Sequence, residues 1–311
     1  MTGEPMHTAL RAAVRELGTE LTPSVYRETV KLLAPLLPAD LADGVDVRRD
    51  LAYGPHERHR LDVFGADPGA RRTVLVYVHG GGFVGGAKKL PRTPFYDNIG
   101  LWAARGGYLG VTMNYRLAPE APWPAGSADL ARAVEWIGAR AAEFGGDPGR
   151  IVLMGQSAGA THVAGYLAGH HLSTADDTAV AGHTDGVPEQ GAGHGVIGAV
   201  LSSCLYDAAT AADNLFQRAY FGADRATWSR CSALRGLVAS DVPLLMTVSE
   251  FDELDFQRQA ALLVAAWSEH HGTYPPLERL WGHNHLTSVL QLGSPDDTLG
   301  PLLRRFIETL P

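Results

Sequence analysis

Apolar residues along this chain keep a helical spacing first, then a strand spacing, and then alternate between the two. Up to about residue 44, Leu10, Val14 and Leu17 recur four and three apart. A second apolar group spans Val25 to Leu37, with Pro35 and Pro38 closing it, so the segment is predicted helical. From Val45 the period shortens to two. Val45 and Val47, then Leu61 and Val63, read as short strands on either side of the polar Gly54-Pro55-His56-Glu57 turn, an antiparallel entry to a sheet. Beyond it, apolar runs predict strands at Thr73 to Val78, Tyr108 to Tyr115, Ile151 to Met154, Val196 to Leu205, Pro243 to Val248 and Leu277 to Trp281. Between and after them, helices are predicted at Thr93 to Ala104, Ser127 to Phe144, Phe256 to His270 and Leu299 to Leu310. Eight strands of this kind, mostly buried and separated by helices, predict an α/β fold with a mostly parallel sheet covered on both faces. In such sheets ligands bind beyond the carboxyl ends of the strands.

Composition narrows the function classes. Hydrophobic residues make up 45% of the 311 and charged residues 19%, enough to fill one large core. A net charge of −8 argues against a nucleic-acid partner, which needs clustered cations. The pairs Arg48-Arg49, Arg71-Arg72, Lys88-Lys89 and Arg304-Arg305 read as solvated surface. The two cysteines, Cys204 and Cys231, give no disulfide framework, and Cys204 reads as a buried thiol. Residues 1–21 lack the apolar core of a signal peptide and no run of about 20 apolar residues follows, so a cytoplasmic chain without membrane contact is expected. Ser173 to Gly195 shows no periodicity and reads as a long loop, a rim or an insertion. Neither its His183 and His194 nor the neighbouring His170-His171 pair has metal-ligand spacing, and no metal or cofactor is expected.

The chemistry begins at Gly155-Gln156-Ser157-Ala158-Gly159, directly behind the apolar run Ile151 to Met154 and ahead of the helix-compatible Ala160 to Ala168. Gly-x-Ser-x-Gly between a strand and a helix describes a nucleophile elbow, in which small residues permit a tight turn and the serine is held strained with its hydroxyl exposed. A serine hydroxyl is a weak nucleophile and needs a base, an orienting acid and an oxyanion hole.

For the hole, strand Thr73 to Val78 runs into His79-Gly80-Gly81-Gly82-Phe83, whose glycines can turn successive N–H groups to one point. Gly81 and Gly82 are the candidate donors, with Ala158 as the third. No Gly-Lys-Ser/Thr follows, which excludes a phosphate loop of that type. In the strand–turn–helix order the acid comes after the serine and the histidine last. Asp252, just past the strand ending at Val248, is the candidate acid; Glu250 and Asp255 compete, Asp255 reading as a helix N-cap. His283 and His285, two apart after the last strand, are both candidate bases that periodicity does not separate. His285, which enters the final helical segment, is preferred. His79 reads as support for the glycine loop.

His79-Gly80-Gly81-Gly82, Tyr115-Arg116-Leu117-Ala118-Pro119-Glu120, Phe144-Gly145-Gly146-Asp147-Pro148 and the elbow together resemble the hormone-sensitive-lipase-like esterases of the α/β-hydrolase superfamily over roughly residues 45 to 311. The resemblance implies the α/β-hydrolase fold, a hole from Gly81, Gly82 and Ala158, Asp252 in its Asp-x-Leu context as acid, and His285 ahead of Leu286 as base. It also implies a loop-fixing role for Arg116 and Glu120. Many members carry Asp where this chain has Gln156 and Gly where it has Ala160. The Phe-Gly-Gly-Asp-Pro lead-in and Ala160 are shared with type-B carboxylesterases, whose chains are longer and usually use Glu as acid. Gly282 to Val289 and Leu61-Asp62-Val63-Phe64 are similar to arylformamidase-like relatives.

The implied function is a serine carboxylic-ester hydrolase acting on small or medium acyl or aryl esters. An amidase, arylformamidase or carbamate hydrolase with the same triad is the alternative. A non-catalytic ligand receptor on this fold, which typically loses the histidine, is disfavoured by His283 and His285. A helical cap from residues 1–44, drawing also on about 207–235, is expected, and a homodimer by analogy. Trp123, Tyr206, Phe216, Tyr220, Phe221 and Trp228 could line a pocket, though helical aromatics more often belong to a core.

Overall fold

The computed structural model describes residues 8–173 and 195–311. The loop expected around residues 173–195, with His183 and His194, lies almost wholly outside them.

Eight strands form one sheet: β1 (Val47–Ala52), β2 (Arg60–Phe64), β3 (Arg72–Val78), β4 (Leu109–Met113), β5 (Gly146–Gln156), β6 (Val196–Ser202), β7 (Leu244–Phe251) and β8 (Leu277–Asn284). Their order is β1-β2-β4-β3-β5-β6-β7-β8. The first two strands pair antiparallel, β2 meets β4 antiparallel, and every pairing from β4 to β8 is parallel. The eight strands and the antiparallel entry expected from the pattern are all present. Strand β5 starts earlier than its apolar run, at Gly146.

Ten α-helices accompany the sheet among the described residues: α1 (Thr8–Glu16), α2 (Pro23–Leu33), α3 (Asp97–Arg105), α4 (Ala125–Arg140), α5 (Ala158–Leu167), α6 (Leu215–Phe221), α7 (Leu234–Val238), α8 (Leu254–His271), α9 (Thr287–Leu290) and α10 (Leu299–Thr309). The helix expected from Thr93 starts only at Asp97, because Leu90 N–H bonds to Phe95 O and the Thr93 hydroxyl to Leu90 O in a turn ahead of it. The helix expected to reach Phe144 finishes as a 3-10 turn, Ala141–Phe144, at a left-handed Gly145.

The continuous apolar strands are explained by burial on both faces. Along β3, Val74, Val76 and Val78 pack into a core with α4, α5 and α7, while Leu75 and Tyr77 pack on the other side with α1, α3 and α10. Residues alternate across a strand, so a strand covered on both sides has no polar face to show. Parallel register then brings strand ends together at one edge. Gln156 at the end of β5 lies beside Ser202 of β6, Ser202 beside Thr247 of β7, and Phe251 of β7 beside Asn284 of β8.

A third cluster packs over this edge. Phe83 and Ala158 from the sheet side meet Tyr220 and Phe221 of α6, Trp228 and Cys231 of the following 3-10 segment, and Phe256 of α8, with Leu21 of the N-terminal segment against it. Both cysteines are free and buried.

Two basic pairs are not plain surface. Lys88, only 8% exposed, bonds through Nζ to Asp62 Oδ1 at 2.6 Å and pairs with Asp50 at 2.9 Å. Arg49 bridges Asp62 and Asp97, and Lys89 reaches Asp97 Oδ2 at 2.7 Å. Asp62 sits at the centre, fully buried. Sequence spacing hides this network because its members come from β1, β2, α3 and the loop after the glycines. No helix among the described residues is long and apolar enough to cross a membrane.

Candidate active site

Ser157 stands between β5 and α5 with φ 55° and ψ −124°, a strained conformation for a residue with a side chain. The turn requires its glycines. A Cβ on Gly159 would lie 2.1 Å from the carbonyl oxygen of Val78, so α5 can approach β3 only because that side chain is missing. The glycine loop repeats the requirement: Gly81 has φ 131°, and a Cβ there would lie 2.2 Å from Gly85 O.

Supports for that loop come from three directions. The buried His79 ring stacks on Tyr115 at 4.4 Å between centroids, and its Nδ1–H donates to Gly80 O at 2.6 Å. Tyr115 donates from its hydroxyl to His79 O, while Arg58 donates to Tyr115 O and Gly86 O. Burial pushes the His79 pKa down to about 3, so the ring is a neutral prop. Arg116 grips Asp129 with two nitrogens, as expected of a loop-fixing residue. Glu120, expected to share that work, is exposed.

At the carboxyl edge, His285 Nδ1–H donates to Asp252 Oδ1 at 2.7 Å, and both residues are buried. The other carboxylate oxygen accepts from the Ser249 N–H at 2.6 Å and from the Ser203 hydroxyl at 2.7 Å. Three donors on one carboxylate fix its orientation. The Phe256 ring lies 4.3 Å from the imidazole. His285 Nε2 is buried and has no hydrogen-bond partner among the described residues, which leaves it available as an acceptor.

The competing residues are occupied elsewhere. His283 is held by the hydroxyls of Thr287 on Nδ1 and Thr298 on Nε2, and burial pushes its pKa down to about 3. Glu250 pairs with Arg11 and accepts from the Gly282 N–H. Asp255 is not the N-cap of α8; Glu253 occupies that position, and Asp255, one residue into the helix, accepts from Ala212 N–H. The N-terminal segment reaches the same loops, since Leu21 N–H donates to Glu253 and Thr29 accepts from Asn284 Nδ2.

Ser203 was not legible as a site residue. It is a second serine after an apolar strand, and only the folded chain shows its φ of 49° and its bond to Asp252. Of the six aromatics, Tyr206, Tyr220, Phe221 and Trp228 are buried in cores, whereas Phe216 is half exposed with its ring against Gly82.

Several known proteins are similar to this chain. A family model described as BD-FAE matches residues 61–191. The carboxylesterase NlhH of Mycobacterium tuberculosis is 45% identical over 87 residues, 28% of this chain and 26% of that protein. Esterase LipQ of the same organism is 35% identical over 123 residues, 38% of this chain and 28% of that protein, so the match spans under a third of these relatives' own lengths. Among solved structures, the hyperthermophilic esterase of Pyrobaculum calidifontis aligns with a TM-score of 0.68 at 19% identity, covering 98% of this chain and 99% of that one. By sheet order the chain has the α/β-hydrolase fold, and in sequence it is similar to the esterases NlhH and LipQ over part of their length.

Proposed function

We propose that the chain is a serine carboxylic-ester hydrolase that works through an acyl-enzyme, with Ser157 as nucleophile, His285 as base and Asp252 as the acid that orients it. The observation that carries this reading is the buried Asp252–His285 pair at 2.7 Å, with the far imidazole nitrogen unpartnered among the described residues, on the same sheet edge as a strained elbow serine. The esterase names of the relatives support it.

In the first half-reaction Ser157 Oγ attacks the ester carbonyl carbon as His285 Nε2 takes its proton, and charge on the carbonyl oxygen is met by the N–H groups of Gly81, Gly82 and Ala158. The imidazolium, stabilised by Asp252, returns that proton to the departing alcohol. Water then attacks the acyl-enzyme with His285 again as base, and the carboxylic acid leaves. The substrate is a small-molecule ester of small or medium acyl or aryl type. The segment at about 207–235 covers the site, with Tyr220, Phe221 and Trp228 packing over Ala158 and Phe83 and Leu21 beside them. The expected contribution of residues 1–44 is limited to that Leu21 contact, because α1 and α2 pack in the core with α3 and α10 and residues 1–7 lie outside the described residues.

A matched panel of p-nitrophenyl esters, anilides and carbamates tests the reading, with phenmedipham included because a relative from Pseudarthrobacter oxydans, 40% identical over 114 residues, is named phenmedipham hydrolase. Ester turnover lost in Ser157→Ala and His285→Ala is expected. Amide or carbamate turnover exceeding ester turnover would replace the ester assignment.

A further inference from the structure

Gln156 stands beside the nucleophile, and no step of the reaction above uses it. It is 1% exposed. Its Nε2–H donates to the backbone carbonyl of His285 at 2.9 Å. Its Oε1 lies over the α-carbon of Gly80, since a Cβ there would be 2.4 Å away. One side-chain amide therefore spans the elbow, the glycine loop and the histidine loop. A carbonyl oxygen needs a donor opposite it. Aspartate is one methylene shorter and, when ionised, offers only acceptors, so it could not make this bond.

We propose that Gln156 is a positioning residue for the base: by holding the His285 carbonyl it sets where the imidazole stands relative to Ser157 Oγ. The ring then has an anchor at each end, Asp252 on Nδ1 and Gln156 on the main chain behind it. This inference rests on the assignment of Ser157, Asp252 and His285. Ionisable neighbours are few. Asp252 follows the end of β7, and His283, near the end of β8, is held between two threonines, with burial keeping it neutral. Glu250 and Glu253, flanking Asp252, are engaged by Arg11 and by Leu21 N–H. From α8 the packed group is the Phe256 ring, and from α2 the Thr29 hydroxyl bonds the adjacent Asn284. A carboxyl placed at 156 would be the one new titrating group.

That makes Gln156→Glu informative. Glutamate has the same length, and its protonated carboxyl donates as the amide does, whereas its ionised form faces the carbonyl with acceptors only. Buried and opposed to a carbonyl oxygen, it ionises above the usual carboxyl value of about 4.3. Expressed as a ratio to the parent at each pH, kcat of Gln156→Glu should lie within about threefold at the acid end. It should fall about tenfold more as pH rises through the new ionisation, with KM moving less than about twofold, because misplacing a catalytic group costs rate rather than binding. Gln156→Met, which fills similar volume with no donor, should lose about tenfold in kcat at every pH.

A Gln156→Glu ratio that is flat with pH, or a Gln156→Met kcat equal to the parent's, overturns the proposal. If the glutamate variant does not fold, the methionine variant decides alone. Ser157→Ala measured in parallel keeps the two questions apart. Full turnover by Ser157→Ala would defeat the hydrolase assignment itself, whereas its loss together with unaltered 156 variants would defeat only the role of Gln156.

Discussion

Removing the hydroxyl of Ser203 takes away one of the three donors that hold the buried Asp252 carboxylate. The bond is 2.7 Å long and both groups are shielded from water, Ser203 at 2% exposure and Asp252 at 0%. A hydrogen bond to a charged group contributes about 1.5–3 kcal/mol, and the Ser249 N–H stays in place on the same oxygen, so Ser203→Ala should cost about 2 kcal/mol of stability. A carboxylate free to swing also orients the imidazole less well, and kcat/KM should fall about tenfold. Backbone strain supplies an internal control. At φ 49° any side chain is strained, by about 1–2 kcal/mol against glycine, part of which glycine returns through a freer unfolded chain. Ser203→Gly should therefore share the loss in kcat/KM, because it lacks the same donor, yet exceed the alanine variant in stability by about 0.5–1 kcal/mol. Urea unfolding and p-nitrophenyl butyrate turnover read both quantities. Variants within twofold of the parent in kcat/KM, with unchanged unfolding midpoints, would refute the view that this hydroxyl fixes the acid.

Lys88→Met leaves the fully buried Asp62 with Arg49 and the Asp50 N–H but without its shortest cation contact, and should lower stability by about 2–3 kcal/mol in urea; a change below about 0.5 would mean the network contributes nothing. Acid should destabilise the fold. Burial pushes His79, His162 and His283 down to about 3, against about 6.5 in an unfolded chain, so below pH 6.5 the unfolded state binds protons that the folded state refuses. Stability present above pH 6.5 is then lost progressively toward pH 3, by roughly 2 kcal/mol per histidine at pH 5. Asp297, pushed up to about 6 by burial, works in the opposite sense and returns about 1 kcal/mol there. A urea midpoint that stays level from pH 7 to pH 5 would contradict this.

Much of the architecture was legible because both of its signals are local. Two-sided burial leaves unbroken apolar strands such as Thr73 to Val78 and Ile151 to Met154, and the elbow and the glycine loop need small residues at fixed places. The choice between His283 and His285 was not legible from periodicity, because it depends on Thr287 and Thr298 capturing one ring and Asp252 the other. Ser203, the Arg11–Glu250 pair and the Lys88 network stayed hidden for the same reason. Their partners come from other elements, as far as 239 residues away for Arg11, and no spacing rule reaches across a sheet. Gln156 was visible as a departure from related esterases, but its donor role needed the carbonyl of His285 beside it.

The central claim is that Ser157 is the nucleophile, and a fluorophosphonate probe reads it directly. Intact-mass and peptide mass spectrometry should find one adduct per chain, on Ser157, with ester turnover lost in proportion to labelling. Ser157→Ala should take up no probe. Labelling at another residue, or a fully labelled protein that still hydrolyses p-nitrophenyl esters, would contradict the account.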